Sequence, residues 1–278
     1  MKQRCGTSCG GYPMKMFAIG LTASAAMMTF AGSAVADGYQ RNVPVVGARC
    51  ASFSGFYIGG NVGAVQYDPK LEDRDGLLSS NSPFRQAATF IGSDDAFVGG
   101  PQAGYNFQRG CTLFGIEGDW SWTDARVDSH LFPNVVGVRD ISTAATLHSF
   151  GTLRTRSGVI VDNALLYVTG GLAWMDVRHN LHFNASPDNE AFSFSDTPLG
   201  WTAGVGFEYA LSRNISIKSE TLYMTTSDEV HRIRTNPVFN LCQTAASTCD
   251  FTTNESAWVA RMGLNIRFGS NLDYSPLK

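Results

Sequence analysis

Glu117 and Asp119 stand two residues apart, as do Arg154 and Arg156, and Lys218 and Glu220; Glu208, Arg261 and Arg267 complete a set of four acids and five bases. Spacing by two places side chains on one face of a β-strand, so Glu117 with Asp119 has the geometry of a carboxylate pair for acid–base catalysis. Opposite signs on neighbouring segments suit a second chemistry, a lattice of structural ion pairs, which imitates an active site in every local respect. The lattice is the reading adopted, because Arg154 and Arg156 fall on the next segment of alternating residues. Five histidines offer a different chemistry. His130, His148, His179, His182 and His231 all fall in or beside long polar stretches, and imidazole is a usual axial ligand of haem iron. His179-x-x-His182 is the best pair by spacing, weighed against solvated loop residues. His148-Ser149 does not make a nucleophile pair, since adjacent strand residues face opposite sides. With no Gly-x-Ser-x-Gly elbow, phosphate loop or cysteine–histidine metal box in residues 37–278, no catalytic or metal site is assigned and the protein is read as a non-enzyme.

The elements that must position these residues are strands. In Ala257–Phe268, Trp258, Ala260, Met262, Leu264, Ile266 and Phe268 alternate with Val259, Arg261, Gly263, Asn265 and Arg267. An apolar face backed by a polar one is the pattern of a strand between lipid and a polar lumen. Alternation and turn signals give eight such strands, at about Gly55–Gln66, Ala96–Phe107, Thr112–Thr123, Leu147–Val161, Ala164–Val177, Thr197–Tyr209, Ile215–Thr226 and Ser256–Phe268. Short turns at Gln108–Cys111, Asp162-Asn163 and Ala210–Asn214 alternate with long polar connections at about 67–95, 124–146, 178–196 and 227–255. That asymmetry predicts an all-β fold, an eight-stranded antiparallel up-and-down transmembrane β-barrel with short periplasmic turns and long extracellular loops. A barrel this narrow is filled by its own side chains, so the charges are expected to pair around Gly59, Gly63, Gly104 and Gly206 and plug the lumen. Outward Phe56, Tyr105, Phe107, Trp120, Trp122, Trp201, Tyr209, Tyr223 and Trp258 fall near strand ends, as interfacial girdles do. Pro101 predicts a bulge beside Gly99-Gly100, and Leu165-Leu166 and Gly170-Gly171 blur which face of 165–174 is inward.

The amino terminus carries an apolar run, Phe17–Phe30, after Lys15 and before Ala34-Val35-Ala36. This is the layout of a secretory signal peptide over 1–36, too short to span a bilayer; the start is open among Met1, Met14 and Met16. Residues 37–54 read as a periplasmic leader, 55–268 as the barrel and 269–278 as a tail. Cleavage removes three of the 21 bases and none of the 24 acids, a net charge of −6, which offers nothing to nucleic acid. Cys50, Cys111, Cys242 and Cys249 remain, an even number in an oxidising compartment. Cys242 is expected to pair with Cys249 within one loop, and Cys50 with Cys111 if both are periplasmic.

Several segments resemble the outer-membrane immunogenic protein and opacity-like porin family: Ser54-Gly-Phe-Tyr-Ile-Gly-Gly-Asn-Val-Gly63, Gly99-Gly-Pro-Gln-Ala-Gly-Tyr-Asn-Phe107, Phe114-Gly-Ile-Glu-Gly-Asp-Trp-Ser-Trp122, Leu165-Leu-Tyr-Val-Thr-Gly-Gly-Leu-Ala173, Gly200-Trp-Thr-Ala-Gly-Val-Gly-Phe-Glu-Tyr209 and Gly263-Leu-Asn-Ile-Arg-Phe268. The resemblance covers strands and about half of the mature chain. It implies a barrel like the membrane anchor of OmpA in the cell outer membrane. It also implies contact with lipid and lipopolysaccharide, insertion by the barrel assembly machinery, and a role as surface antigen or envelope stabiliser with loops offered to host or extracellular ligands. Some members bind hemin, so hemin is the one ligand expected, with no resident cofactor. A small-solute pore is the third reading. The chain departs from the family in the tail after Phe268 and in Pro101.

Overall fold

Residues alternate in facing along every strand, and the backbone closes that alternation into a ring. The computed structural model describes residues 50–73, 89–131, 140–184, 189–234 and 248–268. The signal peptide, most of the leader, Cys242 and the tail lie outside these residues. The strands are β1 (Gly55–Asp73), β2 (Thr89–Ile91), β3 (Asp94–Arg109), β4 (Thr112–Leu131), β5 (Asp140–Val161), β6 (Ala164–Asn184), β7 (Asn189–Asp196), β8 (Leu199–Ala210), β9 (Ile215–Thr226), β10 (Glu229–Arg234) and β11 (Thr248–Phe268). Neighbours in the sheet are antiparallel, and β11 pairs with β1 from Phe56↔Phe268 to Asp73↔Phe251, which closes the barrel. β2, β7 and β10 extend staves already present, leaving about eight strands around the ring.

Lipid and water set where the barrel sits. Phe56 and Phe268 lie against each other, tilted, near the periplasmic end with ring centroids 6.2 Å apart, while Trp201, Tyr223 and Trp258 form a chain of contacts at 5.7 and 4.9 Å near the other. From Trp258 to Phe268 the strand rises about 33 Å, and a tilt of about 40–45° reduces this to about 25 Å, the height of an outer-membrane apolar band. Ile58, Val62, Leu264, Ile266 and Met262 are exposed between the girdles, where lipid takes the place of a second protein layer. The turns at the periplasmic end are tight. Asp162 takes φ 52° in the two-residue Asp162-Asn163 hairpin, and Gly110 takes φ 60° between β3 and β4, conformations that Asp, Asn and Gly tolerate best.

Two expectations need correction. Among the described residues the long polar connections are largely strand: β5 begins at Asp140, β6 continues to Asn184 and β11 begins at Thr248. Their sequences are polar on both faces, or apolar on both, which hides a strand from a search for alternation. The end of the leader packs against the barrel: Phe53 is fully buried, its N–H is donated to Gln108 Oε1 at 2.8 Å, and Ala51 N–H is donated to Asp162 O at 2.7 Å. Pro101 makes no bulge. The β3–β4 ladder skips from Gly99↔Trp122 to Gln102↔Asp119 without changing register, and Gly60↔Pro101 keeps the register with β1; proline has no N–H to give the ladder and is exposed on the outer face. The bulges lie instead between Trp122 and Ala125 and between Leu147 and Ser149. For 165–174 the inward set is Leu165, Tyr167, Thr169 and Ala173.

Candidate functional site: the barrel interior and its outer mouth

The interior has three layers. Its base holds Phe53, Leu113, Ile160, Leu165 and Tyr167 around the Cys50–Cys111 disulfide, whose Cα atoms are 5.5 Å apart. This base pins residues 50–54 under the barrel. Above it, all nine charged residues of the set are buried. Above these lies an apolar layer in which Val65, Val98, Leu147, Phe150, Met175, Val177, Leu222, Met224 and Val259 meet. A polar lumen was expected throughout; the outer half is apolar on its inner face as well.

Arg154 is the centre of the charged layer. Its Nη2 lies 2.5 Å from Glu117 Oε1 and 2.9 Å from Asp119 Oδ2, its Nη1 lies 3.0 Å from Glu220 Oε2, and its Nε is donated to Thr152 Oγ1. Each carboxylate has a second cation: Lys218 Nζ is 2.8 Å from Glu117, and Arg261 is 2.8 Å from Asp119 and 2.7 Å from Glu220. Nearer the base, Glu208 takes Arg156 at 3.0 Å and Arg267 at 3.9 Å. Glu208 also accepts from Asn265 Nδ2 at 3.1 Å and from the Ser216 hydroxyl. Charges in so dry a place persist only when paired and hydrogen-bonded. The register supplies two of the partnerships directly, for Glu117↔Arg154 and Arg261↔Glu220 are opposed across ladders.

Sequence reasoning missed the neutral members of this layer. Tyr57 donates to Glu117 at 2.6 Å and Tyr167 to Glu220 at 3.0 Å, and both rings face the Arg156 guanidinium, at 4.8 and 5.3 Å. Tyr57 was legible, since it shares its face with Gly59, Asn61 and Gly63; Tyr167 was lost in the blurred phase of β6. The glycines make room for these rings. A Cβ at Gly104 would meet the Tyr57 hydroxyl at 2.3 Å, and one at Gly206 the Tyr167 ring at 2.2 Å. Gln102, Asn106 and Asn265 complete the network, with Gln102 Nε2 donating to Asn265 Oδ1 at 2.6 Å and Arg156 Nε to Asn106 Oδ1 at 2.9 Å. Arg267 lies over the Phe53 ring at 4.8 Å and donates Nη2 to the Ser212 and Arg213 carbonyls.

The histidines do not converge. His130, His148 and His182 are exposed, His231 is partly buried and His179 is buried. The favoured His179/His182 pair is separated, because the segment is strand and residues three apart face opposite sides. His179 Nε2 sits 3.0 Å from Glu255 Oε1, and His231 Nε2 3.4 Å from Asp196 Oδ2. On the outer surface, His130 and His182 flank Ser142 in one row across β4, β5 and β6. Among the described residues no group of three or more His, Cys, Asp or Glu side chains is arranged to hold a metal ion. Cys249 is the second residue of β11, but its expected partner Cys242 lies outside the described residues.

Comparison with known proteins places this geometry. A family model for the outer membrane protein beta-barrel domain matches residues 22–240. The 31 kDa outer-membrane immunogenic protein of Brucella melitensis biotype 1 is 39% identical over 132 residues, 46% of this chain and 52% of that protein. The 22 kDa outer membrane protein of Rhizobium leguminosarum bv. viciae is 30% identical over 127 residues, covering 46% and 51%. The chain thus spans about half the length of the curated relatives it matches. The crystal structure of the outer membrane protein OprG from Pseudomonas aeruginosa aligns over 79% of this chain and 99% of that one, at 14% identity and a TM-score of 0.45.

Proposed function

The chain belongs to the outer membrane β-barrel protein family and is located in the outer membrane, in an environment of lipid and lipopolysaccharide; on that premise we propose that it is a structural, non-enzymatic surface protein with a sealed lumen. Its outer strands and loops are then the working face, offered as antigen or to an extracellular ligand, and the barrel assembly machinery inserts it. The observation that carries the reading is the paired charged layer, in which Glu117, Asp119, Glu208 and Glu220 each meet at least two cations. Apolar side chains lie on both sides of that layer. An ion crossing it would have to break several desolvated pairs at once, at several kcal/mol each, which argues against the pore. Conductance in planar lipid bilayers tests this: the protein is expected to give no steady ohmic current, and steady unitary openings in the wild type would refute the sealed lumen.

Hemin binding is the second reading, favoured by the exposed His130 and His182, which flank Ser142 in one row. His179 and His231, being engaged with carboxylates, contribute less to it. Titration of hemin against the folded barrel, followed by the Soret band, is expected to saturate for the wild type and to fail for His130→Ala with His182→Ala. A flat titration, or one indifferent to these two residues, removes the reading.

A further inference from the structure

Among the described residues the wall ceases to be a closed ring beyond the outer girdle. Among the described residues β7 is laddered to β6 alone, β10 to β11 alone and β2 to β1 alone, and the β3–β4 ladder goes no further out than Gly99↔Trp122. The described part of the outer half is therefore two ribbons, β10–β11–β1–β2 and β4–β5–β6–β7, which meet along two seams. Between β3 and β4 the seam is crossed by a polar contact, with Arg126 N–H donated to Asp94 Oδ2 at 2.9 Å, and by Gly92 lying against Val127. A small cavity opens there between Pro69 and Leu71 of one ribbon and Val127 and Thr143 of the other.

The seam between β7 and β10 is crossed by side chains, and two of the crossings are imidazole–carboxylate pairs. His179 of β6 reaches Glu255 of β11, and His231 of β10 reaches Asp196 of β7. Phe194 of β7 lies between the two imidazoles, stacked at 5.0 Å on His179 and 4.3 Å on His231. The titratable groups facing this site are few. Glu255 comes from β11 and Tyr67 from β1, where the Tyr67 hydroxyl donates to Glu255 Oε2. Burial, with the Glu255 carboxylate beside it, pushes the Tyr67 phenol well above its ordinary range, so it remains a donor. Asp196 comes from β7. β11 adds Thr253, whose hydroxyl is 3.2 Å from His231 Nε2, and β9 adds the uncharged Thr226. Arg232 is turned to Asp250, and Asp228 to Asn254, on the exposed side.

The charge balance at this seam depends on protons. Glu255 is buried and Asp196 partly so, and the salt-bridge partners of both are imidazoles, not lysine or arginine. With neutral imidazoles Glu255 Oε1 and Asp196 Oδ2, buried and without a hydrogen-bond partner among the described residues, are desolvated negative charge; with protonated ones there are two ion pairs whose charges cancel. Buried carboxylates favour the second arrangement, and imidazole ordinarily changes charge between about pH 5 and 8. We propose that the β7–β10 seam is an acid-closed latch, in which protonated His179 and His231 hold the two outer ribbons together through Glu255 and Asp196. Loss of those protons lets the ribbons part and uncovers the interior around Leu181 and Val177.

Distance measurement between spin labels tests the latch. Labels at Ser193→Cys on β7 and Val230→Cys on β10, both exposed positions, are placed in the full barrel in lipid nanodiscs with Cys242→Ser and Cys249→Ser. At pH 5.5 a single short distance is expected; at pH 8 a broader distribution, longer by about one strand spacing, about 5 Å. In His179→Gln with His231→Gln the response to pH is expected to vanish. Should the double variant fail to show a folded, heat-modifiable band, His231→Gln alone, at the more exposed pair, must weaken the response. Equal distributions at both pH values in the wild type, or a pH response that survives loss of the histidines, would overturn the proposal.

Discussion

Arg154→Met removes the hub of the charged layer while keeping most of its volume. Glu117, Asp119 and Glu220 then share Lys218 and Arg261, with Arg156 3.5 Å from Glu117 but committed to Glu208. One carboxylate is left without its own cation. Breaking a buried pair in this way costs about 3–5 kcal/mol. A separate limit comes from the proton: the barrel can relieve itself by protonating the orphaned carboxyl. For a glutamate of ordinary pKa about 4.3, at about 1.36 kcal/mol per pH unit, that costs about 4 kcal/mol at pH 7 and about 1 kcal/mol at pH 5. The sign is fixed, since the orphaned group must gain a proton in the folded variant and acid supplies it. The destabilisation should therefore be about 3–4 kcal/mol at pH 7 and shrink to about 1 kcal/mol at pH 5. Reversible urea unfolding of wild type and variant in lipid vesicles, followed by tryptophan fluorescence, measures the difference at each pH. A penalty below about 1 kcal/mol at pH 7, or the same penalty at both pH values, would refute the account of a dry, fully paired layer.

Gly206→Ala drives a methyl group into the Tyr167 ring and displaces its hydroxyl from Glu220; a loss of about 1–3 kcal/mol is expected from overpacking, read in the same unfolding assay. Reducing or deleting Cys50–Cys111, which closes a separation of 61 residues, removes at most about 4 kcal/mol of loop-closure entropy. It should also make Phe53 and its neighbours exchange amide protons faster while the barrel stays heat-modifiable; an unfolded barrel would contradict the view that β1–β11 closure holds the ring. Burial and the neighbouring Asp95 hold the Asp68 carboxyl above the usual aspartate range. Asp95→Asn should therefore lower the Asp68 titration midpoint, and carboxyl NMR of the two proteins would expose an unchanged midpoint as a failure of the assignment.

The parts of this protein that could be read from its sequence are those fixed by neighbours two residues away. Trp258 to Phe268 announce a strand with lipid on one side, because successive side chains must point oppositely whatever the fold. Asp162-Asn163 and Ala210–Asn214 announce tight turns, and the i, i+2 spacing of Glu117 with Asp119 and of Arg154 with Arg156 puts each pair on one face. The same local rule fails where a strand is apolar on both faces or polar on both. That is why the inner apolar layer of Leu147, Met175 and Met224 and the continuation of β5 and β6 beyond the girdle went unseen.

Tertiary structure decided the partnerships. Arg154 meets Glu220 across 66 residues of chain, Arg261 meets Asp119 across 142 and Tyr67 meets Glu255 across 188. Nothing in the local pattern distinguishes one inward acid from another as the mate of a given base. Register does, and register is settled by the whole ring closing with every backbone N–H and C=O in the membrane satisfied. The histidines show the same division most clearly. The sequence made His179 and His182 look like neighbours, whereas closure sent one inward to Glu255 and left the other on the surface, because a strand turns over at every residue and only the folded barrel says which side is inside.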